Sequence, residues 1–424
     1  MKKILNSLDT VTRRQFAQQC AAASLGVNIL PAASTAAADG IDQRSAPFGK
    51  AKSVIWLMLD GGLSHIDSFD PKRGKSKGPA KAIKTSADFQ VTDFFPRFAD
   101  VADRVSLIRS MEAKIGVHKP AQYFMRTAYE ARGTIQHPTL GSWGSHYLGR
   151  SSRTLPSSVC INRRSDQGNG FFPSSYAPLA IGDPSQGIND VETIGSKTVA
   201  AKRLELLNGI DNDFRRSFPD KAVNAYSGFY DDALALMKSK DLQAFDLSTE
   251  SRSQREAYGD QPFGQGCLLA RRLVESGVRF VEVKHEGWDH HKALADEMAD
   301  VAPVFDQAFA TLVNDLEQRG MLDSTLVVVA TEFGRKPHYD GDGRSHHPVC
   351  FSTVLAGGGT KRGFVYGKSD DEGYYVEEDA VSVGAFHATI AYAAGMEIEK
   401  PAISPSGRPM TVGDGESPVL ELFA

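Results

Sequence analysis

The sequence has no hydrophobic run long enough to span a bilayer, no C-x-x-C pair, no basic excess and no internal repeat. Each absence removes a class of function. The longest mildly apolar stretch near the N-terminus is short and carries Asn28 and Pro31, so it does not read as a membrane span. Four cysteines, Cys20, Cys160, Cys267 and Cys350, are too widely spaced for a zinc knuckle or a disulfide framework. The last three are expected as small buried thiols. Lysine and arginine number 48 against 52 acidic residues, a net charge of −4, which gives no electrostatic case for nucleic acid or an anionic membrane as partner. What is left, 424 residues with 41% hydrophobic and 24% charged content, suits one large α/β domain with insertions.

The N-terminus does carry a signal. Lys2 and Lys3 precede Thr12-Arg13-Arg14-Gln15-Phe16, an Ala-rich run to Pro31, and Ala36-Ala37-Ala38. This pattern predicts a twin-arginine secretory signal over residues 1–38 and a periplasmic or otherwise exported protein. A linker is expected over 39–52 and a single domain over 53–424. Residues 150–265, rich in Ser, Arg, Gly and Asn before turning helical, read as an inserted cap segment.

Short continuous apolar runs mark buried parallel strands: 54–59, 104–110, 278–284, 325–332 and 352–359. Between the third and fourth, Met298, Val301, Phe305, Leu312 and Leu316 recur at helical spacing, predicting a helix from about Lys292 to Arg319 that ends at Gly320. Strand, helix and strand in that order make a parallel crossover unit. The fold class expected is α/β, with a largely parallel central sheet flanked by helices on both faces.

In such sheets ligands bind beyond the carboxyl ends of the strands. After the first strand stand Asp60, His65, Asp67 and Asp70. After the 278–284 strand come His285, Glu286, Trp288, Asp289, His290 and His291. After the 325–332 run come Glu332 and Arg335, and farther on His346 and His347. Carboxylates and imidazoles gathered in this way form a ligand set for a divalent ion. Each piece has a plainer alternative. Asp60 and Asp289 can cap helices, Glu332 and Arg335 can pair, and His346 and His347 can be solvated loop residues.

The order of these pieces resembles the alkaline-phosphatase-like superfamily, and more narrowly a sulfatase-like family of unknown function with twin-arginine export signals. The resemblance rests on "LDGGLSHIDSFDPK", "RSMEAKIGVHKPAQYFM", "HPTLGSWGSHYLG", "EGWDHHKAL", "TLVVVATEFGRKP", "GRSHHP", "LAGGGTKRGFVYGKSD" and "FHATIAYAAG". It implies an alkaline-phosphatase-like fold and a metal-dependent hydrolase of phosphate or sulfate esters. Zinc, manganese or calcium would be held by Asp60, Asp289, His291, Glu332 and His346. The substrate would be a small-molecule or polysaccharide ester. Phe333 stands where phosphatases place a histidine, so one ligand of a two-metal site is missing. No Cys-x-Pro-x-Arg motif is present, so formylglycine chemistry is not implied. His118 and Lys119 stand near the nucleophile's place. His118 would act as nucleophile or ligand, or water would attack directly, with Lys119 or Arg335 clamping the substrate oxyanion. The alternative is a non-catalytic binding or scaffold protein that keeps the fold and serves a partner protein.

Overall fold

The computed structural model describes residues 49–424 apart from 163–167, 189–195 and 218–230. The expected signal segment, and the expected linker up to residue 48, lie outside the described residues. Residues 51 and 52, assigned to the linker from sequence, instead belong to the fold. The Ala51 N–H donates to the carbonyl of Ala393 and the Lys52 N–H to that of Ser324.

One sheet organises the described chain. Its strands are β1 (Ser53–Leu59), β2 (Val105–Glu112), β3 (Ser158–Ile161), β4 (Leu179–Ile181) and β5 (Phe280–His285). β6 (Thr325–Ala330), β7 (Phe351–Gly357), β8 (Phe364–Tyr366) and β9 (Val381–Ser382) complete it. The order across the sheet is β8-β2-β7-β6-β1-β5-β3-β4, with β9 also beside β2. β7 runs antiparallel to both of its neighbours, and every other pairing is parallel.

β1 is central because its sequence, SVIWLML, can be buried on both faces, and all seven residues are. The two-residue period splits them. Ile55, Leu57 and Leu59 pack with α3 (Pro262–Glu275) and α4 (Leu294–Gln318). Val54, Trp56 and Met58 pack with α1 (His118–Thr127), α2 (Leu140–Leu148) and α5 (Val383–Ala393). Helices therefore cover both faces, as the sequence predicts. α4 buries Met298, Phe305, Leu312 and Leu316, and Gly320, at φ 65°, follows its end. The three described cysteines are free and buried.

The expected insertion is the main difference. β3 and β4 lie inside it, yet they extend the main sheet beyond β5. β3 is only SVCI, too short to show a period, and the polar residues around it hide it in the sequence.

Because the strands other than β7 are parallel, their carboxyl ends share one edge, and β7 begins at that edge. The segments that follow β1 and its two neighbours, β5 and β6, meet at that edge, where open α/β sheets bind ligands. The turn after β1 is packed tightly there. Gly61 has φ 129°, and a Cβ on it would stand 2.6 Å from the Asp289 nitrogen and 2.7 Å from backbone atoms of Trp288. Gly61→Ala should therefore lower stability by at least about 2 kcal/mol, read from a chemical denaturation midpoint.

The core also holds neutral imidazoles. His387 donates from Nε2 to the carbonyl of Met125 at 2.7 Å, and His65 from Nε2 to that of Gly373 at 2.8 Å. Burial brings the pKa of each down to about 4. The unfolded chain then takes up protons that the folded one refuses between about pH 6.5 and pH 4. Stability present above that window should fall on acidification through it. Urea midpoints measured from pH 7 to pH 4.5 check this, and His387→Phe should flatten the slope by about one proton.

Candidate metal centre

The residues at this edge come from four elements. α1 begins right after β2, and its first residue is His118. The turn after β5 brings Asp289 and His291. Glu332 follows β6 by two residues. His346 and His347 form a short ladder with Gly334 and Arg335 just before β7. Only because β7 is reversed does the segment preceding it arrive at the same edge as the segments following β1, β5 and β6.

Four side chains converge. One ligand atom each from His118, Asp289, His291 and His346 lies within 4.8 Å of all the others. His118 Nε2 is 3.2 Å from Asp289 Oδ2, His291 Nε2 is 3.1 Å from Asp289 Oδ1, and His346 Nε2 is 3.3 Å from the same oxygen. His291 Nε2 and His346 Nε2 are 2.9 Å apart. Donors bound at about 2.0–2.1 Å to a tetrahedral ion sit about 3.3 Å from one another, so the spacing fits a single ion.

The outer atoms of the imidazoles support the same use. His346 Nδ1 donates to the carbonyl of Gly116 at 2.8 Å, and His118 Nδ1 donates to Glu332 Oε1 at 2.8 Å. Each bond fixes the tautomer and turns the Nε2 lone pair inward. His118 Nε2 is buried and has no hydrogen-bond partner. Its pKa is raised, chiefly by the hydrogen bond to Glu332, against the opposing effect of burial. Burial raises the pKa of Asp289, but the Arg335 hydrogen bond and the charges of Arg335, His118 and His291 outweigh it and bring it down to about 2. Asp289 is thus an anion across the whole physiological range.

Three of the residues singled out from sequence take other places. Asp60 does not reach the cluster. Its carboxylate accepts from Arg126 Nη2 at 3.1 and 3.3 Å and pairs with Lys284 Nζ at 3.1 Å. Burial raises its pKa, with Arg126 opposing. Glu332 also stands behind the cluster rather than in it. It receives both the Gly61 N–H, at 3.0 and 3.1 Å, and the His118 Nδ1–H. Buried, and bonded to the outer nitrogen of the ring, it is an anchor for His118. Arg335 is fully buried. Nε donates to the carbonyl of Gly62, Nη1 to that of Arg344, and Nη2 to Gly61, Trp288 and Asp289. With its donors committed in this way, it holds loops together and has no free edge to clamp a substrate. Lys119 is exposed at the rim.

The rest of the dense 288–291 stretch divides cleanly. Trp288 is core, packed against Phe305, and its Nε1–H donates to His285 Nδ1 at 3.2 Å. His290 is buried away from the cluster, and its carbonyl accepts from the Arg344 N–H. Gln122, Arg126 and Lys284 were not anticipated. Gln122 and Arg126 lie four and eight residues after His118, on one helical face, so the spacing could have shown them. Gln122 donates to Glu332 at 3.3 Å.

No curated protein sequence matches the chain. Solved structures similar to it include a sulfatase from Pseudoalteromonas, at 13% identity and TM-score 0.42, covering 89% of this chain and 73% of that one. An alkaline phosphatase from the Antarctic bacterium TAB5 aligns at 14% identity and TM-score 0.35, covering 81% and 98%. A phosphonate monoester hydrolase from Silicibacter pomeroyi aligns at 11% and TM-score 0.37, covering 87% and 76%. The profile of one protein family matches residues 51–423, nearly the whole described chain, and its four converging ligand residues all fall within that match. The chain belongs to that family, the proteins of unknown function designated DUF1501.

Proposed function

We propose that this protein is an exported, metal-dependent hydrolase of phosphate or sulfate esters with an alkaline-phosphatase-like fold. The observation that carries the reading is the convergence of three inward-facing imidazole nitrogens and one carboxylate at the carboxyl edge of the sheet. Asp289, His291 and His346 would hold the ion and leave a coordination position open. With nitrogen donors in the majority, the set suits zinc better than manganese or calcium, which prefer oxygen. Such an ion supplies Lewis-acid polarisation of the ester oxygens. Export is supported by the Lys2, Lys3 and Arg13-Arg14 pattern of the sequence.

His118 is the reacting group of this chain. Glu332 holds its Nδ1–H, so the Nε2 lone pair is aimed at the place where a bound ester would present phosphorus or sulfur. Attack by Nε2 forms the new bond as the ester oxygen departs and takes a proton from solvent, and water then releases the acid. Lys119, at the rim, adds positive charge for an anionic substrate. Asp60, Glu282, Glu286, Glu332 and Asp289 face the three permanent cations Arg126, Lys284 and Arg335. A divalent ion at the cluster would offset the excess of carboxylates.

A second reading has one observation in its favour. His118 can serve as the fourth ligand, closing a tetrahedral shell as structural sites do. The protein would then be a binding or scaffold protein for a partner. His118→Ala separates the two. As a hydrolase, the variant keeps its ion and loses turnover of aryl phosphate or aryl sulfate by at least about a hundredfold. As a scaffold, it loses the ion.

Purified protein should carry a divalent ion by elemental analysis, and Asp289→Ala and His346→Ala should each lose it together with ester hydrolysis. Absence of bound metal, with no hydrolysis after loading with Zn²⁺, Mn²⁺ or Ca²⁺, overturns the proposal. Ion affinity should also weaken on acidification, because protons compete with the ion for its imidazole ligands, and calorimetric titration across pH reads this directly.

A further inference from the structure

Beside the metal centre lies a second group of carboxylates, and it is already occupied by cations of the chain itself. Asp60 at the end of β1, Glu282 on β5 and Glu332 after β6 come from three adjacent strands. Asp60 and Glu332 are buried, and Glu332 holds the N–H of Gly61, the residue after Asp60. Three such carboxylates at the ligand-binding edge would repel one another strongly without positive charge between them.

The positive charge present is organic. Arg126, fully buried on α1, spans two of the three. Nε donates to Glu282 Oε1 at 2.7 Å and Nη2 to Asp60 Oδ1 at 3.1 Å. Lys284 approaches from β5 and places Nζ 3.1 Å from Asp60 Oδ2. On α1, residues 118, 122 and 126 lie along one face. The same helical stripe thus delivers His118 to the ion cluster, Gln122 to Glu332 and Arg126 to the neighbouring carboxylates.

We infer that Arg126 and Lys284 fill the place of a second cation, and so restrict this centre to one metal ion. The inference rests on the metal-centre reading above. Asp60 and Glu332 have the oxygen chemistry of metal ligands, yet the chain holds them with a guanidinium and an ammonium that no buffer or chelator can remove. The fixed charges compensate Asp60 and hold its turn in place, and they leave the cluster of His118, Asp289, His291 and His346 as the exchangeable cation site of this centre.

The test is ion stoichiometry, measured by calorimetric titration and elemental analysis with Mn²⁺ and with Zn²⁺. Wild-type protein should bind one ion per chain. Lys284→Ala, which removes the more accessible of the two charges, and Arg126→Ala should each bind two. Arg126→Ala leaves buried carboxylates uncompensated and is expected to be unstable without metal. Adding Mn²⁺ during purification should restore it, with a larger rise in Tm than wild type shows. Two ions on the wild-type protein overturn the inference. So do folded variants that still bind one, or an Arg126→Ala protein that Mn²⁺ does not stabilise. A wild-type protein that binds no ion overturns instead the metal-centre reading, so the two failures are distinct.

Discussion

The ligand edge depends on one buried guanidinium. Arg335 follows β6 by five residues and reaches across this edge to the carbonyls of Gly61 and Gly62 after β1, Trp288 after β5, and Arg344 ahead of β7. The same group also bonds Asp289. Loops that have no reason to be neighbours in sequence are held in register by a planar fork whose donors point in fixed directions. Burying such a group is costly unless every donor is met, and here they are met mostly by backbone oxygens. The carboxylate of Asp289 is kept anionic by this contact, so the guanidinium shapes the centre's charge as well as its geometry.

A second buried guanidinium, Arg344, works beside it. Fully buried, it pairs with Asp67, also buried, and hydrogen-bonds the carbonyl of Ser76. This clamps the segment after β1 to the loop before β7. The two arginines are fixed parts of the scaffold, while the imidazoles and Asp289 stand nearer solvent. The arrangement puts rigid charge inside and exchangeable charge outside, which is how a site stays formed whether or not it is loaded.

The fold was largely legible in the sequence because continuous apolar runs betray buried parallel strands, and α4 showed its helical period over about five turns. β3 and β4 were not legible, being short and set in polar surroundings. At the site, Asp289, His291 and His346 could be read from local motifs, because each lies within a few residues of a strand end. Asp60 and Glu332 looked the same by that criterion. What separates them is pairing across long stretches of chain, Arg126 with Asp60 and His118 with Glu332, and single-sequence spacing carries no information about such partners. Arg335 shows only a charge in the sequence. That its donors end on carbonyls of other loops follows from the folded positions of those loops.

The reversed strand has a consequence for the order of assembly. Among the described residues β2 pairs with β7, β8 and β9, all drawn from residues 351–382. Although β2 is early in the chain, it has nowhere to dock until the last third has been made, and neither has the His118 that follows it. The centre also needs His346, which lies just ahead of β7. High contact order of this kind makes pairing slow and late. Closure of the candidate site is therefore late in folding: a chain cut short or held open can bury much of its core and still lack the cluster of His118, Asp289, His291 and His346.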